Sequence, residues 1–187
     1  MKVETKRKKT LVLTVMAMAL AINLVSGRFI SSLIPLVFLD TVGTAMAGIL
    51  LGPVYGIISG IAYGLLGFVL GDPFEFYFCG SAILVGWLCG VFFYKKKYTI
   101  PSVFWKVALI SVPGSIITAI LITVFFGGIT TSVTNNLFIG FMRSAGFSLF
   151  QSALAMQLIQ DYLDKIVSVG VMLIVVKHLP SNIKDKF

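Results

Sequence analysis

The chain has 187 residues, 58% of them hydrophobic and 12% charged, with a formal net charge of +8. A water-soluble domain of this length cannot bury so large an apolar fraction, so the composition excludes a soluble enzyme or a soluble nucleic-acid reader and indicates an integral membrane protein. One helical crossing takes ~20 apolar residues, and the expected fold is a single all-α transmembrane domain over residues 1–187, a six-transmembrane-helix bundle with no room for a soluble catalytic domain.

Residues 1–9 form a basic cytoplasmic tail with Lys2, Lys6, Arg7, Lys8 and Lys9, and residues 10–180 carry the helical bundle. The first span covers residues 10–26. A basic segment before an apolar run resembles a signal peptide, but Asn23-Leu24-Val25-Ser26-Gly27-Arg28 lacks a small-x-small cleavage pattern. The span is therefore read as retained. Ala17 and Ala21 lie on one face of it. Such a small-xxx-small surface suits either a partner helix or internal packing. Residues 27–35 make an apolar loop placed to fold over the bundle as a lid.

The second span, residues 36–51, holds Asp40 near its outer end. A carboxylate at membrane depth is costly and marks either function or a structural hydrogen bond. Thr41 and Thr44 are the local candidates to satisfy it. Gly52-Pro53 is a tight turn, with proline suited to the first position of the next helix. The third span, residues 54–70, repeats glycine at Gly56, Gly60 and Gly64, which lets another helix backbone approach closely. Asp72-Pro73-Phe74-Glu75-Phe76-Tyr77 follows as a short, acidic and aromatic outer loop. The fourth span, residues 77–94, ends at the anchor Lys95-Lys96-Lys97. Cys79 and Cys89 on it are ~15 Å apart along a helix, too far to pair with each other.

The fifth span, residues 103–126, contains Pro113-Gly114, which is expected to kink or unwind it. Residues 127–160 form a partly helical outer segment. Its first part is a polar loop; residues 137–160 are helix-like, with Ser144, Ser148, Gln151 and Ser152 in a polar stripe beside Arg143. This stretch is a re-entrant helix, a surface helix or an extension of the last span, residues 162–178. Twelve of the fifteen basic residues fall in the N-terminal tail, in the Lys95 to Lys106 region and in the C-terminal tail with Lys177, Lys184 and Lys186. The positive-inside bias places all three on one side, which requires an even number of spans and puts both termini in the cytoplasm.

Motifs for chemistry are missing. There is no Gly-x-x-x-x-Gly-Lys-Ser/Thr loop for ATP, no His-Glu-x-x-His and no Gly-x-Ser-x-Gly. The single His178 at the exit of the last span leaves Ser–His or Cys–His catalysis without a base. Neither an enzyme, a metal site nor a cofactor is expected. The remaining polar residues gather on the outer side and suggest a ligand cavity roofed by residues 27–35 and 127–145. The expected substrate-binding residues are Asp40, Glu75, Tyr77, Asn135, Asn136, Arg143, Gln151 and Gln157. Amides and a carboxylate suit the ring nitrogen and hydroxyl groups of a small heterocycle.

Several short motifs stand in order along the chain: Leu39-Asp40-Thr41-Val42-Gly43-Thr44, Leu51-Gly52-Pro53-x-x-Gly56, Gly71-Asp72-Pro73, and Asp164-Lys165 leading to Lys177-His178-Leu179-Pro180. With Ala17-x-x-x-Ala21 in the first span, they resemble the substrate-binding S component of energy-coupling factor (ECF) vitamin transporters. The resemblance implies a subunit in the plasma membrane of a bacterium that captures a small vitamin or precursor from outside. It implies partners, a transmembrane T subunit and two ATPase subunits, which supply ATP hydrolysis and topple the S component inward. Ala17 and Ala21 would be the partner-docking face, and the glycine-rich helices a smooth surface for that motion. A hydroxymethylpyrimidine-like thiamine precursor or a vitamin B6 form is the expected substrate, since few charged pocket groups are apparent, which favours a small, neutral aromatic ring over a polyanion such as folate. The alternatives are a self-sufficient small-solute permease, against which no inverted repeat and no intramembrane chain of titratable residues is evident, and a scaffold without a ligand.

Overall fold

The computed structural model describes residues 2–30, 37–130 and 132–180. All regular structure among the described residues is helical. Helix α1 is Lys2–Val25 and continues as a π-helical turn, Ser26–Ile30. It is followed by α2 (Val42–Leu51), α3 (Pro53–Val69), α4 (Pro73–Phe93), α5 (Ile100–Val124), α6 (Val133–Ser144) and α7 (Leu149–His178). Among the described residues, three segments are long and apolar enough to cross a bilayer: Lys9–Phe29, Pro73–Phe93 and Ile100–Val124. Helices α2 and α3 are apolar but shorter.

Local chemistry sets most boundaries. Gly52 adopts φ 102° between α2 and α3, a left-handed conformation open to glycine, and Pro53 starts α3 at once. Asp72 caps α4 by accepting the backbone N–H of Phe74 at 3.1 Å. A reciprocal Thr99–Ser102 capping box starts α5. Helix α5 then runs through Pro113 without unwinding. In the turn before the proline, Ser111 Oγ donates to the carbonyls of Val107 and Ala108.

All ten residues of α2 are buried, so the bundle is built around this short helix. Its core joins Ala45, Met46, Ile49 and Leu50 to Val15 and Ala19 of α1, Val85 and Cys89 of α4, Val107 and Ile110 of α5, and Val169 and Met172 of α7. A Cβ at Gly43 would overlap the backbone of Ala19, so α1 crosses α2 at backbone contact. Asn23 locks this crossing: its Nδ2 donates to Thr44 Oγ1 at 2.8 Å and its Oδ1 accepts the N–H of Gly43 at 2.6 Å. The glycine stripe of α3 is also internal. Gly56 meets Gly86 backbone to backbone, Gly60 meets Ala82 and Ile83, and Gly64 meets Cys79, all on α4. These glycines seat two helices of one chain, so they do not supply an outward sliding surface.

The stretch 137–160 divides in two. Helix α6 ends at Ser144, Gly146 takes φ 95°, and Ser148 opens α7 through a capping box with Gln151. A stop and a start therefore lie inside the polar stripe. Residues 149–160 extend the last helix, which is 30 residues long. Of the expected lid, residues 27–30 continue the first helix as its π turn; residues 31–35 lie outside the described residues, as do Lys184 and Lys186 of the tail.

Candidate functional site

A cavity of about 140 Å³ opens where the segment before α2 meets α3 to α7. Phe38, Asp40 and Thr41 enter from that segment, and Tyr63 from α3. Asp72, Phe74, Glu75 and Phe78 come from the start of α4, and Thr118 and Ile122 from α5. Asn135 of α6 faces Gln157, Gln160, Asp161, Asp164 and Lys165 of α7.

The α7 contribution follows from spacing. Residues 157, 160, 161, 164 and 165 recur at three- and four-residue intervals, which puts them on one helical face. Lys165 Nζ lies 2.8 Å from Asp164 Oδ2 and 3.9 Å from Asp161 Oδ1. Lys165 and Asp164 are only 5% and 1% exposed, so each needs the other to offset its desolvation. Ser115 of α5 donates to Asp161 Oδ2 at 2.8 Å. Asp164 also ties down the segment before α2, accepting the N–H of Leu39 at 2.6 Å and the hydroxyl of Thr41 at 3.4 Å.

On the opposite wall, Tyr63 Oη donates to Glu75 Oε1 at 2.5 Å. Glu75 lies over Gly67, where a Cβ would overlap its side chain. A Cβ at Gly27 would stand 3.1 Å from Tyr63 Oη and 3.3 Å from Asp40 Cβ, so the π turn presses against this corner of the cavity. On the α6 side, Asn135 Nδ2 donates to Gln160 Oε1 at 2.7 Å. Asn135 Oδ1 and Gln160 Nε2 are buried and have no hydrogen-bond partner among the described residues.

Of the eight expected substrate-binding residues, Asp40, Glu75, Asn135 and Gln157 converge on this cavity. The other four lie outside its lining. Tyr77 is on the exposed side of α4, against Phe125 and Phe126. Asn136 folds onto Thr130, accepting its N–H at 2.7 Å and donating to its carbonyl at 2.9 Å. Arg143 is exposed in the last turn of α6. Gln151 completes the cap of α7 by accepting the N–H of Ser148. Asp40 lies in the turn before α2, outside any helix. Neither threonine beside it is its partner, because Thr41 bonds Asp164 and Thr44 bonds Asn23.

Sequence reasoning did not assign Tyr63, Gln160 or Lys165 to the site, and it counted Asp72, Asp161 and Asp164 among the outer polar residues without naming them as substrate-binding. It also judged charged pocket groups to be few and saw no intramembrane chain of titratable residues. Five of the seven acidic residues of the chain in fact line this one cavity, with Lys165 among them. Ala17 and Ala21 are exposed on α1, while Ala19 between them is buried against α2. Their face points out of the bundle and is not used for internal packing.

The folate transporter FolT of Clostridium novyi (strain NT) is 33% identical to this chain over 110 residues, covering 56% of the chain and 63% of FolT. The match thus spans less than two thirds of that relative's length. No solved structure matches the chain. A family model described as 5TMR of 5TMR-LYT matches residues 1–162, nearly the whole helical bundle. With its apolar composition and its helices of membrane-spanning length, the chain is a membrane protein that belongs to the 5TMR of 5TMR-LYT family.

Proposed function

We propose that this chain is the substrate-capture subunit, or S component, of an ATP-driven ECF importer, and not an enzyme. It takes a small vitamin or vitamin precursor, of the hydroxymethylpyrimidine or vitamin B6 kind, from the outer side of a bacterial plasma membrane. A transmembrane T subunit and two ATPase subunits complete the importer. Helices α1 to α5 and α7 are the six membrane-embedded helices of the bundle, with both termini cytoplasmic. One observation carries the reading: a ligand-sized cavity with convergent polar groups inside an apolar helical bundle, in a chain similar to a protein named as a folate transporter. The absence of a phosphate-binding loop from the sequence fits ATP hydrolysis on separate subunits. Asp40, Glu75, Asn135 and Gln157 contact the solute, and the exposed Ala17 and Ala21 dock the T subunit.

Native mass spectrometry of the gently purified protein tests this. A bound metabolite of vitamin size together with ATPase partners is the expected result. A solitary protein that stays empty after its host is fed candidate vitamins overturns it.

A second reading, a self-sufficient small-solute permease, draws on the buried Asp40, Asp161, Asp164 and Lys165. Titratable groups at membrane depth are the usual material of proton relays. Uptake by the purified chain in liposomes without ATP, driven by a pH gradient, favours that reading over the first.

A further inference from the structure

Five carboxylates share the cavity with one lysine. Lys165 is committed to Asp164 and, at longer range, to Asp161. Asp72 caps the N-terminus of α4, where the helix dipole favours a negative charge. That leaves Asp40 and Glu75, neither of which has a cation within ion-pair distance among the described residues, although the charge of Lys165 bears on Asp40 from farther away. Segment 31–36 cannot bring one, since Ser31-Ser32-Leu33-Ile34-Pro35-Leu36 carries no charge. Arg28, exposed on the π turn, is the other cation whose charge bears on Glu75. Among the described residues no three of these carboxylates are gathered closely enough to hold a metal ion.

The remaining lining points to an organic ligand. Phe38, Phe74 and Phe78 supply aromatic surface beside the carboxylates, the combination that holds organic cations. Independently of the acidic groups, Asn135 Oδ1 and Gln160 Nε2 are a buried acceptor and a buried donor left unmatched on the cavity wall. Such groups are costly unless a partner arrives. A cavity of about 150 Å³ accommodates one benzene ring, and the cavity here, about 140 Å³, is of that size. A dianion such as folate brings further negative charge to a cavity already lined by carboxylates.

We propose that the solute of this cavity is a compact, single-ring organic cation, its positive group held between Asp40 and Glu75 and its ring edge read by Asn135 and Gln160. This rests on the capture reading above and adds the charge of the substrate to it.

Matched probes separate charge from shape. Binding of pyridoxamine is compared with pyridoxine, and of 4-amino-5-aminomethyl-2-methylpyrimidine with its 5-hydroxymethyl counterpart, by calorimetry on the purified protein in nanodiscs. Folate is the anionic control. The aminomethyl compound of at least one pair is expected to bind ten-fold or more tighter than its alcohol, with no competition from folate. Asp40→Asn and Glu75→Gln, each checked for unchanged melting, are expected to erase that preference. Tighter binding of folate or of the alcohols, with the preference untouched in both variants, overturns the charge assignment and leaves the capture reading in place. No saturable binding of any probe by a protein that melts cooperatively overturns both.

Discussion

The backbone N–H of Leu39 donates to Asp164 Oδ1 at 2.6 Å, joining the segment before α2 to the middle of α7 across 125 residues of chain. Leu39 has φ 52°, a left-handed conformation that a branched residue holds only when its surroundings enforce it. Asp164 is the enforcing group, and Asp40, next in the chain, is thereby aimed at the cavity. Asp164→Ala removes this anchor and leaves Lys165 with only the more distant Asp161. A loss of roughly 3 kcal/mol in stability is expected from breaking a buried pair on one side. Thermal unfolding in detergent measures it, and a melting point equal to that of the parent refutes the anchor.

The outward face of α1 gives a separable defect. Ala17→Leu or Ala21→Leu enlarges an exposed surface without touching the cavity. Solute binding by the isolated subunit is expected to stay within two-fold of the parent, in a test sense of about 0.4 kcal/mol, while co-purification with ATPase subunits and cellular uptake are lost. Joint loss of binding and assembly would mean that this face belongs to the fold.

Glycine substitutions on α4 should divide sharply. A Cβ at Gly86 would overlap the backbone of Gly56, whereas a Cβ at Gly80 meets nothing within 4 Å. Gly86→Ala is expected to destabilise by about 1–3 kcal/mol through overpacking. Gly80→Ala is expected to be neutral or stabilising by up to about 1 kcal/mol, because alanine loses less entropy in a helix. Paired melting curves decide, and equal effects at the two sites would sink this account of the α3–α4 contact.

Two adjacent asparagines should also differ. Asn135→Ala strips the cavity wall of an amide and leaves Gln160 unpartnered; solute affinity is expected to fall about ten-fold, or 1.4 kcal/mol. Asn136→Ala instead releases Thr130, whose N–H, hydroxyl and carbonyl it binds. Protease susceptibility of the α5–α6 connection should rise with affinity little changed. Limited proteolysis alongside calorimetry distinguishes the two, and the reverse pattern would count against the placement of Asn135.

Helix boundaries with strong stop and start chemistry were legible in the sequence. Gly52-Pro53 divides helices where the structure divides them, whereas Asp72 to Tyr77, expected as an outer loop, is the cap and first turn of α4, because Asp72 accepts a backbone N–H and Pro73 starts the helix. The α7 face was not legible, for a physical reason. The residues that line the cavity, Gln157 to Lys165, are the ones that lower the hydropathy of the helix. A reading by apolar runs therefore begins the last span at residue 162, inside this stripe, and cuts it in two. Tyr63 gave no signal because a tyrosine among apolar residues, like Tyr55 earlier in the same helix, forms no pattern. Its partner Glu75 lies across the turn that joins α3 to α4. Asp40 could be picked out as a charge among apolar neighbours, but its adjacent threonines were already committed to groups more than twenty positions away in sequence.

The Asn135–Gln160 amide pair has a consequence for recognition. If both amides turn by half a rotation, the bond between them survives with donor and acceptor exchanged. The unmatched atoms then become a donor on Asn135 and an acceptor on Gln160, the reverse of the order described above. The wall thus reads a hydrogen-bonding edge in either direction at the cost of a side-chain rotation. A ring that presents its amino group and ring nitrogen in either of two opposite senses is matched, which makes the pocket tolerant of isomers that a rigid backbone edge would tell apart.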